Sequence, residues 1–318
     1  MIRLEAVYVL MGLLVGGIAI VNLRDRDHPK RTGNALFWGL YAVSFLFGSH
    51  LPNLANGVLV LAMVGVAAAR ALGGGSAEST TVEERRASAR RWGNRLFLPA
   101  LLVPVLTLIG TFALRGVRVG GVPLVDPRQL TLVSLGVATL VALGAAMLML
   151  RPPAATPLRE ARRLLDTVGW AAVLPQSLAA LGALFAAAGV GTAVATLVTE
   201  WIPLDHAVVA VVTYTVGMAL FTIVMGNAFA AFPVMTAGIG LPLIVGTFGG
   251  DPVIMAAIGM LSGYCGTLMT PMAANYNIVP AALLELPDQN GVIRVQFPTG
   301  VVLLVVNTVL MSLFVYRA

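Results

Sequence analysis

Long runs without a charged side chain constrain this chain more than any other feature. Several stretches of roughly 16–21 residues carry no charge, and each is long enough to span, or nearly span, a hydrocarbon core of about 30 Å. Hydrophobic residues make up 58% and charged residues 11% of the sequence, against roughly 45–50% and 25% in soluble domains. Because only helices and closed barrels satisfy backbone groups in lipid, the pattern predicts an all-α polytopic membrane protein. We therefore expect the surface of the chain to contact lipid, and we do not interpret its formal net charge of +6 as a sign of nucleic-acid binding.

Two regions follow from the spacing of these runs. Residues 1–156 are predicted to be scaffold or interface spans, and residues 157–318 a transport region ending in a span over about 297–316. The first run has no convincing small-residue cleavage site and is followed at once by basic residues, so it is interpreted as a retained span rather than a signal peptide. In all we expect about eight spans, of which the first five lie roughly at 4–21, 35–50, 53–70, 96–114 and 130–150.

The positive charges are distributed unevenly between alternate loops. The 22–34, 71–95 and 151–163 loops hold most of the basic residues, while only Arg3, Arg115, Arg118 and Arg128 lie on the opposite side. Because positive loops remain in the cytoplasm, the pattern places these three loops in the cytoplasm and the N-terminus outside. The ratio of 19 Arg to one Lys, with many Ala and Gly, is typical of a GC-rich bacterial genome, so we expect a bacterial inner-membrane protein with a periplasmic N-terminus. The 73–91 segment is expected to be a solvated loop, flexible or partly helical.

The pattern changes after residue 156. Residues 157–166 are predicted to form a short amphipathic helix at the membrane interface, and Asp166 is expected to cap the following hairpin. Residues 168–198 are overlong for one span, so we expect a re-entrant helical hairpin that turns near Pro175-Gln176-Ser177 or a few residues beyond. A single long, kinked span is the alternative.

Two apolar runs then break over small and amide residues. The first break is predicted at 226–233, between helices over 207–225 and 231–248; the second lies at 265–277, between helices over 253–266 and 278–285. Backbone that leaves the helix inside lipid costs several kcal/mol for each unsatisfied group. Paired breaks of this kind are the usual sequence indication of a secondary transporter's binding site.

The residues at the breaks are neutral, so an anion would have to bind to helix ends and uncharged donors. Asn227, Asn275 and Asn277 are the strongest candidates because an amide both donates and accepts; the alternative is that each bonds only a neighbouring helix. Thr267 and Thr270 could add hydroxyl ligands or bond back to the preceding turn. Gln176 and Ser177 are candidates for a third wall of the site. The candidate set is completed by Gly226, Ala228, Gly266 and Pro271.

No catalytic residues, metal ligands or cofactor are predicted. Cys265 is expected to pack as a small apolar residue. The three histidines lie at segment ends without metal-ligand spacing. Four acidic residues near the ends of segments are interpreted as helix caps or membrane-boundary residues, namely Glu200, Asp205, Glu285 and Asp288. Of these, Glu200 and Glu285 are also weaker candidates for proton carriers.

These motifs resemble one half of a carrier of the ion-transporter superfamily, which includes the divalent anion/sodium symporters. Such carriers have a hairpin, a broken span with a Ser-Asn-Thr-type motif, and a second broken span with a Thr-Pro…Asn segment. The resemblance covers about residues 157–286. Its matches are Pro175-Gln176-Ser177, Gly226-Asn227-Ala228 and Gly266-Thr267…Thr270-Pro271…Asn275. Glycine and alanine replace the two hydroxyl residues that flank the asparagine of the first motif.

Over nearly its whole length the chain resembles a bacterial family of membrane subunits of two-component 5-oxoproline (pyroglutamate) transporters. Three segments carry this resemblance: 34–39 (Asn-Ala-Leu-Phe-Trp-Gly), 226–233 (Gly-Asn-Ala-Phe-Ala-Ala-Phe-Pro) and 265–272 (Cys-Gly-Thr-Leu-Met-Thr-Pro-Met). It implies a second membrane subunit that supplies the inverted half, and a cyclic monocarboxylate as substrate.

We therefore expect a subunit of a secondary carrier that moves a small organic anion, coupled to Na⁺ or H⁺. A structural subunit without its own transport role is the alternative. An intramembrane enzyme is disfavoured because no His, Asp or Cys cluster is visible in the sequence.

Overall fold

The structure, a computed structural model, describes residues 2–75, 81–201, 206–284 and 286–317, with backbone alone at 82, 175, 179, 198 and 199. About 77% of the chain is helical, which confirms the all-α class. The one sheet in the described residues is the small hairpin β1–β2. The elements are α1 Leu4–Arg24, α2 Arg31–Phe47, α3 Asn53–Ala68, α4 Val82–Trp92, α5 Phe97–Ala113, β1 Arg118–Val119, β2 Val122–Pro123, α6 Leu130–Leu150, α7 Thr156–Val168, α8 Leu174–Ala187, α9 Val190–Trp201, α10 Ala207–Met225, α11 Ala228–Met235, a π-helix Thr236–Thr247, α12 Pro252–Leu268, α13 Ile278–Leu283 and α14 Gly291–Phe314.

Seven helical runs in the described residues are long and apolar enough to cross a bilayer. They are Leu4–Arg24, Glu83–Ala113, Leu130–Leu150, Thr156–Ala187, Ala207–Met225, Ala228–Thr247 and Gly291–Phe314, with Asn53–Ala68 and Pro252–Leu268 as shorter apolar helices. Length and composition thus indicate a polytopic membrane protein. The count of about eight spans stays a prediction.

The chain divides into two compact units, Met1–Gly169 and Trp170–Ala318. The boundary follows α7, whereas the sequence analysis had grouped residues 157–166 with the C-terminal region. In the N-terminal unit α1 packs lengthwise on α2, α5 packs on α6, and α7 lies against α1. The division into scaffold and transport regions is a functional one and stays a prediction.

A buried cluster of polar side chains fixes α7 to α1 and α2. The Asp166 carboxylate is its centre: Oδ1 accepts hydrogen bonds from Trp38 Nε1 at 2.8 Å and from Asn22 Nδ2 at 3.1 Å, and Oδ2 lies 3.4 Å from Arg162 Nε. The expectation that Asp166 caps the hairpin is therefore wrong. Its carboxylate points into the N-terminal unit because the donors of α1, α2 and α7 compensate its buried charge there. We call Asn22, Asp25, His28, Trp38, Arg162 and Asp166 the Asp166 cluster.

The same cluster reaches the loops beside it. Arg162 Nη2 also pairs with Asp25 Oδ2 at 2.6 Å, and this hydrogen bond holds the pKa of the Asp25 carboxyl below its ordinary value. His28 is buried, and its Nδ1 accepts the backbone N–H of Lys30 at 3.0 Å. Asn34 Nδ2 donates to the carbonyl of Gly73 at 2.8 Å, so the start of the predicted flexible 73–91 segment is held against α2. Further along, a capping box between Thr81 and Glu84 begins helix α4.

Helices α8 and α9 form the predicted helical hairpin, but the turn is not near Pro175. It lies at 188–189, where Gly189 adopts a φ of +73°. Proline is tolerated in the first turn of a helix, where no intrahelical N–H bond is lost, and Pro175 occupies that position in α8. Gly189 supplies the left-handed conformation that the turn needs. That the hairpin is re-entrant stays a prediction.

The C-terminal unit has its core between α10, α12, α14 and the π-helix. Tyr214 of α10 is fully buried, and its hydroxyl hydrogen-bonds Thr236 Oγ1 at 3.0 Å. The hairpin packs on α11 and the π-helix through close backbone approaches: a Cβ on Gly182 would lie 2.6 Å from Ala230 Cα, and one on Gly238 would lie 2.4 Å from the Gly191 carbonyl oxygen. Small residues at these positions allow the backbones to approach this closely.

Replacement of Asp166 by alanine should destabilise the N-terminal unit strongly. The change leaves Arg162, Trp38 and Asn22 without their shared acceptor, and breaking a buried ion pair typically costs about 3–5 kcal/mol. Chemical unfolding in detergent micelles measures the loss. Glu160→Ala is the matched control, since Glu160 pairs with Arg163 on the half-exposed side of the same helix, where a pair contributes about 0.2–1 kcal/mol. Equal, small losses in both variants would show that the Asp166 cluster does not hold α7.

Candidate functional site

The first break is confirmed and is narrower than predicted. Helix α10 ends at Met225, Gly226 adopts a φ of +72°, and α11 begins at Ala228, so only residues 226 and 227 leave the helix. Asn227 is the N-cap of α11: its Oδ1 accepts the backbone N–H of Phe229 at 2.8 Å. The remainder of the predicted 226–233 break is helical, because a short cap of this kind satisfies the first N–H groups and lets the helix resume at once.

The second break is longer than the first, and its backbone forms irregular turns rather than a continuous helix. Helix α12 ends at Leu268 and α13 begins at Ile278, so this break spans 269–277 and begins four residues later than the predicted 265–277. Residues 265–268, with Gly266 and Thr267, are the last residues of α12. Asn277 is fully buried in this break, and its Nδ2 donates to the carbonyl of Thr267 at 2.9 Å and to that of Thr270 at 2.7 Å. Asn277 therefore satisfies one carbonyl that the end of α12 leaves without a helical partner and one carbonyl of the break itself.

The two breaks contact each other. Thr270 Oγ1 of the second break donates to the carbonyl of Ile223 in the last turn of α10 at 2.8 Å. A Cβ on Gly226 would lie 2.6 Å from the Met272 carbonyl oxygen, so the second break lies directly against the first. This contact also explains why the chain departs from the Ser-Asn-Thr-type motif at its first position: a side chain on residue 226 would clash with residue 272.

Close packing of the flanking helices brings these breaks together. A Cβ on Gly266 of α12 would lie 2.4 Å from the Ala219 carbonyl oxygen of α10, and one on Gly263 would lie 3.0 Å from Ala228 Cβ at the start of α11. Gly266 and Ala228 thus act through their small size. The ends of α10, α11 and α12 consequently meet in one region of the C-terminal unit.

Four buried side-chain oxygen atoms in this unit have no hydrogen-bond partner among the described residues. Two of them are Ser177 Oγ on α8 and Gln296 Oε1 on α14, and the other two lie at the breaks. These last two are Asn277 Oδ1, beside the second break, and Thr222 Oγ1, one turn before the first break. Leaving such a buried group unsatisfied costs about 1–3 kcal/mol, so each is a candidate to accept a donor or a cation. Thr222 was missed by the sequence analysis; its signal was a hydroxyl one turn before a Gly-Asn break in an otherwise apolar helix.

The remaining candidate residues do not take part in the hydrogen bonds between the two breaks. Thr267 Oγ1 bonds back to the carbonyl of Tyr264 at 2.6 Å, which is the alternative stated above for this residue. Pro271 and Asn275 are exposed on the second break. Gln176 is exposed on α8 and Ser177 is half-buried, and in the described part of the chain neither side chain hydrogen-bonds to a residue of either break. Cys265 is buried, in agreement with a packing role.

Three aromatic rings beside the breaks were also missed. Phe229 follows the first break, Tyr264 lies in the last turns of α12, and Tyr276 lies in the second break. Their ring centroids are 6.0 Å apart for Phe229 and Tyr264 and 6.1 Å apart for Tyr264 and Tyr276. Together the rings form an apolar surface that is partly exposed and is contributed by both broken segments.

The electrostatics of the region come from neutral groups. Among the described residues of the C-terminal unit no charged side chain is buried. The N-terminal end of α11 carries a partial positive charge and the C-terminal ends of α10 and α12 carry partial negative charges. Glu200 is exposed on α9 and Asp288 pairs with Arg294 at 3.1 Å, while Asp205 and Glu285 lie outside the described residues.

Comparison with known proteins identifies the family but no characterised relative. Residues 5–316 match the family model described as "Protein of unknown function (DUF979)", and the chain therefore belongs to that family. Searches of curated proteins and of solved structures found no match.

Replacement of Gly226 by alanine should destabilise the C-terminal unit more than the same change at Gly249. Both glycines have a positive φ, +72° and +69°, which costs alanine about 1–2 kcal/mol. Only at residue 226 would the new Cβ meet another segment, the Met272 carbonyl, and such overpacking adds about 1–3 kcal/mol. Chemical unfolding of both variants in detergent gives the difference. Identical losses would mean that the two breaks do not touch.

Proposed function

We propose that this chain is a membrane subunit of a secondary active transporter for a small organic anion, with 5-oxoproline as the first substrate to test. The observation that carries the proposal is the direct contact between two helix breaks, through Gly226, Thr270 and Met272. Breaks of this kind are typical of transporter sites, where half-helix ends face the substrate. The proposal includes an inner-membrane location and a periplasmic N-terminus.

The neutral character of the region suits a carboxylate and a cation together. An anion would bind at the N-terminal end of α11, beside Asn227, and a coupling ion, Na⁺ or H⁺, would be taken up near the carbonyl ends of α10 and α12. Asn277 Oδ1 is the one amide oxygen of the candidate asparagines that is fully buried and unpartnered in the described residues. The rings of Phe229, Tyr264 and Tyr276 would contact the apolar face of a cyclic substrate.

A half-carrier needs a second half. The resemblance to two-component transporters implies a second membrane subunit that supplies the inverted repeat, so that the site lies between the repeats. In this proposal the hairpin α8–α9 is re-entrant and moves with α11 and the π-helix, against which it packs. Transport follows by alternating access around the two breaks.

Uptake of labelled 5-oxoproline into proteoliposomes that contain both subunits tests this proposal. In this proposal Asn275, which is exposed on the second break, donates a hydrogen bond to the substrate carboxylate. Asn275→Ala should therefore lower the uptake rate at least about tenfold, because a hydrogen bond to a charged group contributes about 1.5–3 kcal/mol and 1.4 kcal/mol is a factor of ten. Asn290→Ala is the matched control, since Asn290 is also exposed but precedes α14, outside both breaks. Folding of each variant is checked by size-exclusion chromatography.

Each alternative gives a different result in the same experiment. A structural subunit requires that uptake depends on the chain but is unchanged in Asn275→Ala. An intramembrane enzyme requires chemical conversion of the substrate without accumulation. Uptake by the second subunit alone, at the full rate, would contradict any transport role for this chain.

A further inference from the structure

A cavity of about 410 Å³ lies in the N-terminal unit, and none of its lining residues belongs to either break. It is formed by the end of α5, the β1–β2 hairpin and the start of α6, and its volume is within the range of about 300–1,000 Å³ that small-molecule sites occupy. Three of its lining residues are arginines, namely Arg115, Arg118 and Arg128. They are three of the four basic residues that the charge count placed on the less basic side of the membrane.

The positive charge of this cavity is not compensated within the described residues. None of the three guanidinium groups forms a hydrogen bond or an ion pair there. The nearest acid in sequence, Asp126, accepts the backbone N–H of Arg128 at 3.0 Å and does not line the cavity. Three like charges around one cavity repel one another, and an anion between them would remove that repulsion.

The backbone around the cavity is held in place by the start of the chain. The backbone N–H of Ile2 donates to the Leu124 carbonyl, and the N–H of Asp126 donates to the Ile2 carbonyl at 3.1 Å. The N–H of Leu4 donates to Gln129 Oε1 at 2.9 Å. These bonds fix the segment that carries Arg128 relative to α1, so the cavity is built from the fold and not from a free loop.

Apart from Thr111 and Thr131, the rest of the lining is apolar, and it continues along helix α5. Phe112, Leu114 and Val125 line the cavity, and α5 has no buried residue along its length. The cavity thus combines positive charge at the end of an apolar helix with an open apolar flank. Guanidinium groups bind phosphate oxygens with paired hydrogen bonds, and the flank matches acyl chains.

We propose that this cavity binds the phosphodiester headgroup of an anionic phospholipid, with its acyl chains along α5. The apolar flank favours a lipid over a soluble phosphate, which would leave Phe112 and the adjoining face of α5 without a contact. The site is independent of the transport proposal, because it lies wholly within residues 111–131.

Native mass spectrometry of the delipidated chain, titrated in detergent with phosphatidylglycerol, tests this site. Arg115→Gln, Arg118→Gln and Arg128→Gln combined should weaken binding of phosphatidylglycerol at least about tenfold, because each charge-assisted hydrogen bond lost lowers affinity severalfold or more. The matched control combines Arg86→Gln, Arg90→Gln and Arg95→Gln, which removes the same charge outside the cavity. Binding in the control should equal that of the unaltered chain. Thermal unfolding checks that both variants remain folded.

The other arms of the titration distinguish the sources of the ligand. Neutral phosphatidylcholine should bind at least about tenfold more weakly than phosphatidylglycerol, since it lacks net negative charge. Equal binding of the two lipids, or equal loss in the cavity and control variants, would overturn the proposal. Arginine-dependent binding of soluble glycerol phosphate with no preference for phosphatidylglycerol would overturn it in favour of a soluble ligand.

Discussion

Peptide groups released from a helix inside an apolar unit lose their partners and must find others. In the C-terminal unit the two breaks meet this requirement in part through each other. Thr270 donates to the last turn of α10, and Gly226 leaves room for the Met272 carbonyl. Asn277 donates to the carbonyls of Thr267 and Thr270, and its own side-chain oxygen is unpartnered among the described residues. The geometry of the candidate site depends on these contacts between the two breaks.

In the N-terminal unit the main constraint is a buried charge. The Asp166 carboxylate receives Trp38, Asn22 and Arg162, one partner from each of the helices α2, α1 and α7. A buried charge is tolerated only when its hydrogen bonds are complete, so the cluster fixes the position of the amphipathic helix that leads into the hairpin. At the arginine cavity of the same unit, by contrast, positive charge has no acidic partner in the described residues. We attribute a structural role to the Asp166 cluster and a binding role to the arginine cavity.

The sequence predicts the helical class and both breaks because apolar run length and Gly/Pro/Asn interruptions are local signals. It does not predict which residues meet. The role of Asp166 was missed because its partners are distant in sequence, on α1 and α2. The predicted position of the hairpin turn was wrong because proline occurs both in turns and in the first turn of a helix, and Pro175 lies in the first turn of α8. The turn forms instead at Gly189, the residue with a positive φ. The aromatic surface at Tyr264 likewise needs the fold.

Hydrogen exchange of backbone amides, measured on the chain with the proposed second subunit in lipid nanodiscs, tests most directly whether the two breaks form one binding site. The amides of 227–229 and 272–276 should exchange faster than those in the middle of α10 and α12, because they lack regular helical bonds. Added 5-oxoproline should slow exchange at both breaks together. Protection at neither break, or at one break alone, would contradict a site shared between them.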